Sequence, residues 1–324
     1  MNTLIRTCGS AMAAACALAA PITPGFAQST DFPNKTIELL VPYSPGGGTD
    51  ALARAFAEAS HKHTSQSIVV TNKPGASGAI GWNEIINAKP DGYKIAVITV
   101  ELLTLPHLGL AKFSYDDFNL IAQLNADPAA ITVRAEAPWN SIEEFLAAAK
   151  RPGSDVKVGN AGNGSIWHLA SAALEDKASV KFNHIPFQGA GPAVLALLGG
   201  HIDAVAVSPA EVSTYVTAGK LKTLAVMADK RVKGFEKVPT FKERGIDLSI
   251  GTWRGLGAPK STPPEVMAVL RSLTQKTANE QSLRDVMDKQ NLGYVYADDV
   301  TFKATLARDN IYFKQLITKL NLKQ

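Results

Sequence analysis

Three consecutive glycines, Gly46, Gly47 and Gly48, lie between a strand-like run (residues 36–41, TIELLV) and a helix-like run (residues 51–60, ALARAFAEAS). A strand-to-helix corner stripped of side chains belongs to an α/β unit, and it exposes backbone N–H groups where the helix begins. A helix start carries unsatisfied donors and a partial positive charge, so it suits an anion. A second turn of the same design follows at residues 160–165 (NAGNGS). Each has a purely structural reading, because glycine supplies positive φ in any tight turn. Together they suggest a chain that grips a small anion from two sides.

The first residues read as a secretory leader, residues 1–27. Arg6 supplies the positive charge, residues 11–20 a short apolar run, and Gly25-Phe26-Ala27 the small residues before cleavage. The apolar run is far shorter than the roughly 20 residues of a spanning helix. Both cysteines, Cys8 and Cys16, fall in this leader, so the mature chain is expected to hold no disulfide, thiolate metal site or cysteine nucleophile. Cys16 is a lipidation candidate weakened by Ala13, where a larger aliphatic is usual. A formal charge of +4 without a basic, aromatic-interleaved stripe argues against nucleic acid. The 324 residues exceed the usual single core, so two domains are the default.

Strand and helix patterns alternate through residues 37–41, 50–60, 67–71, 80–88 and 94–99, and resume with a strand at 130–133. Alternation of this kind predicts mostly parallel sheets with helices on both faces. Helix starts are marked by Ser141 with Glu144, Ser208 with Glu211 and Thr262 with Glu265, each spaced as a capping box. Further strands are expected at 202–207 and 224–227, and helices at 265–279 and 299–320. Enzyme motifs are missing: P-G-G-G-T-D lacks the lysine and spacing of a P-loop, and no G-x-G-x-x-G, G-x-S-x-G or H-E-x-x-H occurs. Neither a cofactor nor a metal is expected.

The motifs in their order resemble the Bug-type receptors of tripartite tricarboxylate transporters. The matching residues are IELLVPYSPGGGTD (37–50), VVTNKPGASGAIG (69–81), KPDGY (89–93), PHL (106–108), NAGNGSIWHL (160–169), IPFQGAGP (185–192), LLGGHID (197–203), AGKL (218–221) and WRGLGAP (253–259). The resemblance implies a type II periplasmic-binding fold, α/β in class, with two lobes around a cleft joined by two crossings. Lobe one would combine residues 28–126 and 254–324, and lobe two would be 127–253. It implies a monomeric periplasmic receptor that captures a small carboxylate and delivers it to membrane permease subunits. A sensing domain that signals to a partner, or a small-molecule hydrolase, is the alternative.

The candidate ligand groups follow from the loops. Tyr43, Ser44, Gly46, Gly47 and Gly48 form the first cradle, with Thr49 as helix cap and Asp50 as a helix-start acid. Gly162, Asn163, Gly164 and Ser165 form the second; Ser165 can offer its N–H and hydroxyl to a carboxylate or simply cap the helix. Ala76 and Ser77 narrow the cleft from one lobe, and Gln188 and Gly189 from the other. Thr99 ends a strand, and Glu101 beside it either faces the cleft, repelling a bare anion and favouring an amino group, or is a solvated acid. Asp203 contacts ligand or bonds a neighbouring loop. Arg254 clamps a second carboxylate, pairs with an interlobe acid, or lies along Trp253. Glu211 is read as a capping residue, and His168 is given no chemistry.

Overall fold

The computed structural model describes residues 32–323; the expected leader and Cys16 lie outside them. One sheet contains β1 (Ile37–Val41), β2 (Ile68–Asn72), β3 (Lys94–Thr99), β4 (Phe118–Pro128), β10 (Gly251–Pro259) and β11 (Tyr294–Asp298). Their order is β11-β4-β10-β3-β1-β2. The other contains β5 (Ala130–Arg134), β6 (Lys157–Asn160), β7 (Asn183–Pro186), β8 (Ala204–Val207) and β9 (Leu221–Val226), in the order β7-β6-β8-β5-β9. Each sheet with its helices makes one α/β lobe.

Pairing is mixed rather than mostly parallel. β1 is parallel to β2 and β3, and β6 to β7 and β8. β10 runs antiparallel to β3 and β4, β11 to β4, and β5 to β8 and β9. The βα alternation sets the parallel pairs. The antiparallel pairs of β5 and β10 arise where the chain changes lobes and enters each sheet from the opposite end, and β11 runs in the same direction as β10. The central strands read as largely apolar runs because both faces are covered: all of β8 is buried, and so is β1 apart from the half-buried Glu38.

In the first lobe, α1 (Gly48–Ser60), α2 (Ala79–Ile86), α3 (Glu101–Leu108), α8 (Pro264–Ala278), α9 (Gln281–Lys289) and α10 (Asp299–Lys319) flank the sheet; α4 (Ile142–Ala149), α5 (Ile166–Ala178), α6 (Ala190–Leu198) and α7 (Pro209–Thr217) belong to the second. Helix α1 shows the local logic. Leu52, Ala53, Phe56 and Ala57 recur at helical spacing and are buried, and truncating a buried phenylalanine like Phe56 costs about 3–5 kcal/mol.

The chain leaves the first sheet at Ala129, after β4 reaches Pro128, and returns where β10 begins at Gly251. The crossing segments are tied by backbone bonds: Met227 N–H to Ala129 O (2.7 Å), Ala129 N–H to Ile250 O (2.9 Å) and Ile250 N–H to Met227 O (3.0 Å).

None of the three capping boxes closes fully; at α4 only the serine half forms, and the Glu144 carboxylate accepts from Asn140 N–H at 2.6 Å instead of from Ser141. Ser141 caps α4 as expected, its Oγ accepting from Glu144 N–H at 3.2 Å. Ser208 Oγ makes no capping bond, the Glu211 N–H bonding Ser208 O instead, and the Glu211 carboxylate goes to an arginine rather than to the Ser208 N–H. Helix α8 starts without a side-chain cap, and the Thr262 hydroxyl donates to Pro259 O instead.

Candidate functional site

The two glycine turns place the N-termini of α1 and α5 at the ends of β1 and β6, on opposite sides of the interlobe cleft. Tyr43, Ser44, Gly47, Gly48, Thr99, Glu101 and Arg254 line one cavity together with Thr49, Ile166, Trp167 and Glu211. It encloses about 20 Å³, little more than one water.

Each helix N-terminus faces a carboxylate from the other lobe. On α5, the Ile166 N–H donates to Glu101 Oε1 at 2.8 Å. Glu101 Oε2 accepts from the Thr99 hydroxyl, which in turn stands 3.0 Å from Tyr43 Oη. At 2 % exposure, Glu101 is a buried cleft acid, not a solvated one. Burial first, and then the Glu101 charge, hold the Tyr43 phenol well above its usual pKa. On α1, Glu211 from α7 faces the Gly48 N–H. A carboxylate at a helix N-terminus gains from both the free amides and the helix dipole.

Arg254 is fully engaged by the protein. Its Nε donates to Thr49 Oγ1 (2.9 Å), its Nη1 to Asn125 (2.6 Å) and to Asp127, and its Nη2 to Glu211 Oε1 (2.9 Å). Of the roles open to it from sequence, it takes that of pairing with an interlobe acid. Removing one partner from such a buried pair typically costs 3–5 kcal/mol. Burial pushes the Glu211 carboxyl up to about 7, against the opposing pull of Arg254. Its Oε2 is buried and has no hydrogen-bond partner.

Other anticipated residues form the seam where the lobes touch. Ser44 N–H donates to Gln188 O at 3.0 Å, and the Ser77 hydroxyl to Asn163 O at 2.6 Å. Ala76 and Ser77 both adopt positive φ, +47° and +53°, strain of the kind that persists where surroundings over-determine it. Gly162 is required twice over: its φ is +116°, and a Cβ there would stand 2.5 Å from Ser77 Oγ. The Thr104 hydroxyl donates to Gly164 O at 3.1 Å, and Gly189 packs against Tyr43 and Ser44. Gly46 donates its N–H to Asp50, which also holds Arg54 and Asn72.

Thr49 changes role, while Ser165 and Asp203 each take one of the two roles open to them from sequence. Thr49 is not the cap of α1; Gly47 holds that position, and the Thr49 hydroxyl serves Arg254. Ser165 N–H bonds Gly162 O, and its Oγ caps His168 N–H, so the amide that meets a carboxylate is the next one, Ile166. Asp203 lies away from the cavity and accepts from Lys157 N–H at 2.8 Å. His168 Nδ1 accepts from Gly164 N–H, and burial lowers its pKa to about 4.

Sequence reading missed Thr49, Asn125, Asp127, Ile166 and Glu211 as cleft residues. A usable signal lay in β4, where Gln123, Asn125 and Asp127 alternate and are all buried, a polar face on an otherwise apolar strand. Among the described residues no cluster of three or more His, Cys, Asp or Glu could hold a metal ion, and no helix is long and apolar enough to cross a membrane.

A family model described as the tripartite tricarboxylate transporter family receptor matches residues 52–322. A protein of Cupriavidus necator, "UPF0065 protein in gbd 5'region", is 33% identical over 313 residues, covering 96% of this chain and 95% of its own. A TctC solute-binding protein from Polaromonas, solved without ligand, is 63% identical over 89% of this chain and 99% of its own, with a TM-score of 0.64. MatC from Rhodopseudomonas palustris, solved with bound malate, is 26% identical over 88% of this chain and all of its own (100%), with a TM-score of 0.83. The chain belongs to the tripartite tricarboxylate transporter receptor family.

Proposed function

We infer that this receptor captures a small carboxylate in the periplasm by closing its two lobes around it, and then presents the closed form to the permease subunits of a tripartite transporter. One observation carries the reading: the N-termini of α1 and α5 converge on a single interlobe cavity, and each is faced by a carboxylate of the opposite lobe. Amides that hold the chain's own carboxylates are disposed to hold a ligand's. In an open form, Glu211 withdraws with its lobe and frees the amides at the start of α1.

The cavity is too small for an organic acid, so capture requires the lobes to part and close again. The comparisons support two lobe settings. The Polaromonas receptor is far closer in sequence than MatC, yet superposes less well. Chains 63% identical share their lobe folds, so the gap in superposition points to how the lobes are set.

A thermal-shift screen of mono- and dicarboxylates tests the proposal. At 100-fold excess over Kd a true ligand stabilises by about 2.7 kcal/mol. No stabilisation by any organic acid, with turnover of a test ester or nucleotide instead, overturns it.

A further inference from the structure

The geometry points to Glu101 as the residue that selects the ligand's chemistry: the cleft takes a carboxylate that also carries a cationic nitrogen donor, and it disfavours dianions. This rests on the carboxylate reading above.

Glu101 is held from both lobes. Thr99, backed by Tyr43, fixes one oxygen from its own lobe, and the Ile166 amide takes the other. With its own-lobe bonds intact, the acid remains in the cleft when the lobes part. When they close, it returns to the α5 N-terminus. That anion seat is therefore filled by the protein, and what Glu101 offers a guest is an acceptor.

Glu211 adds a second acid to the same cavity. Its Oε1 meets Arg254, while its buried Oε2 has no partner. The side chain is 2% exposed. Above about pH 7, where the carboxyl is ionised, this oxygen is a buried acceptor left bare and calls for a donor, so the titrations below are run at pH 8. The charges around the cavity tell the same way. Asp50, Asp127, Glu101 and Glu211 face Arg54 and Arg254, with Asp50 turned to Arg54 and Asp127 to Arg254. Among the lining residues Arg254 alone is cationic, and it already lies between two acids. A dianion would bring two more negative charges into a water-excluded space that has an excess of them. An ammonium or protonated ring amine would neutralise Glu101 and satisfy Glu211 Oε2. One ligand carboxylate has a seat at the amides of Gly47 and Gly48 beside Arg254 once Glu211, which faces the Gly48 N–H in the ligand-free cleft, shifts off it toward the ligand's cation.

The test is calorimetric titration, at pH 8 and one salt concentration, with matched pairs that differ in the nitrogen: butyrate against 4-aminobutyrate, succinate against L-aspartate, and cyclohexanecarboxylate against piperidine-4-carboxylate. In every pair that binds, the nitrogen-bearing member is expected to bind wild type at least tenfold more tightly. Glu101→Ser and the isosteric Glu101→Gln are expected to erase that preference, and the serine variant to gain affinity for succinate. Equal or tighter binding of the nitrogen-free members to wild type overturns the inference while leaving the carboxylate reading intact. So does an unchanged order in both variants, with circular dichroism showing that they fold. No binding of any member to any of the proteins overturns the carboxylate reading itself.

Discussion

Glu211→Gln isolates the cost of keeping an acid in the closed cleft. In the folded protein, burial raises the carboxyl from the usual glutamate value of 4.5 to about 7. The folded protein therefore holds a proton that the unfolded chain has lost, and stability falls as pH rises from about 4.5 to about 7, then levels off. At roughly 1.4 kcal/mol per pKa unit, the penalty above pH 7 is about 3 kcal/mol. Glutamine keeps the carbonyl that accepts from Arg254 Nη2 and cannot ionise. In carboxylate-free buffers, the two proteins should melt within a degree or two of each other at pH 5. At pH 8 the variant should melt higher by on the order of 5–10 °C. A gap between the two melting curves that does not change with pH would refute the reasoning, since it would mean that Glu211 does not titrate in this window.

Three other substitutions and titrations bear on the account. Ile166→Pro removes the amide that holds Glu101, at the first helical position, where proline fits, and also exchanges a buried side chain; set against Ile166→Ala, which keeps the amide, it should cost about 1–3 kcal/mol more, read as a lower denaturant midpoint, and equal midpoints for the two variants would show that the amide is idle. Gly191→Ala places a Cβ 2.9 Å from Pro45 O across the seam. Overpacking of about 1–3 kcal/mol should weaken ligand affinity tenfold or more without altering each lobe's fold, and full affinity would show that closure does not bring these segments together. His168, lowered to about 4 mainly by burial, binds fewer protons folded than unfolded, so its contribution is lost as pH falls from about 6.5 through 4; its NMR titration should have a midpoint near 4, and a midpoint near 6.5 would contradict the buried neutral ring.

What the sequence disclosed, and what it hid, follows the range of the interactions. The strand, glycine corner and helix at residues 37–60 are local features, and the structure shows them nearly where periodicity places them. β10 has no strand signal of its own in the sequence, since Gly255 and Gly257 interrupt it. In the sheet they clear space instead: a Cβ at Gly255 would stand 2.4 Å from Phe302. Helix α9 between the two tail helices was also missed. Glu211 shows the limit most clearly. Its spacing from Ser208 is that of a local cap, but Arg254, 43 residues away, offers a charged partner in a buried site, and the long-range pair prevails. At the α5 turn the sequence points to Ser165, whereas the amide that faces a carboxylate is Ile166, since sequence cannot tell the capping hydroxyl from the amide that follows it.

A crystal structure with the strongest ligand from the screen addresses the central claim most directly. The account predicts a ligand carboxylate within hydrogen-bond distance of the Gly47 and Gly48 amides, with Glu211 displaced from them. A ligand seated elsewhere, with the Gly48 amide still facing Glu211, would contradict it.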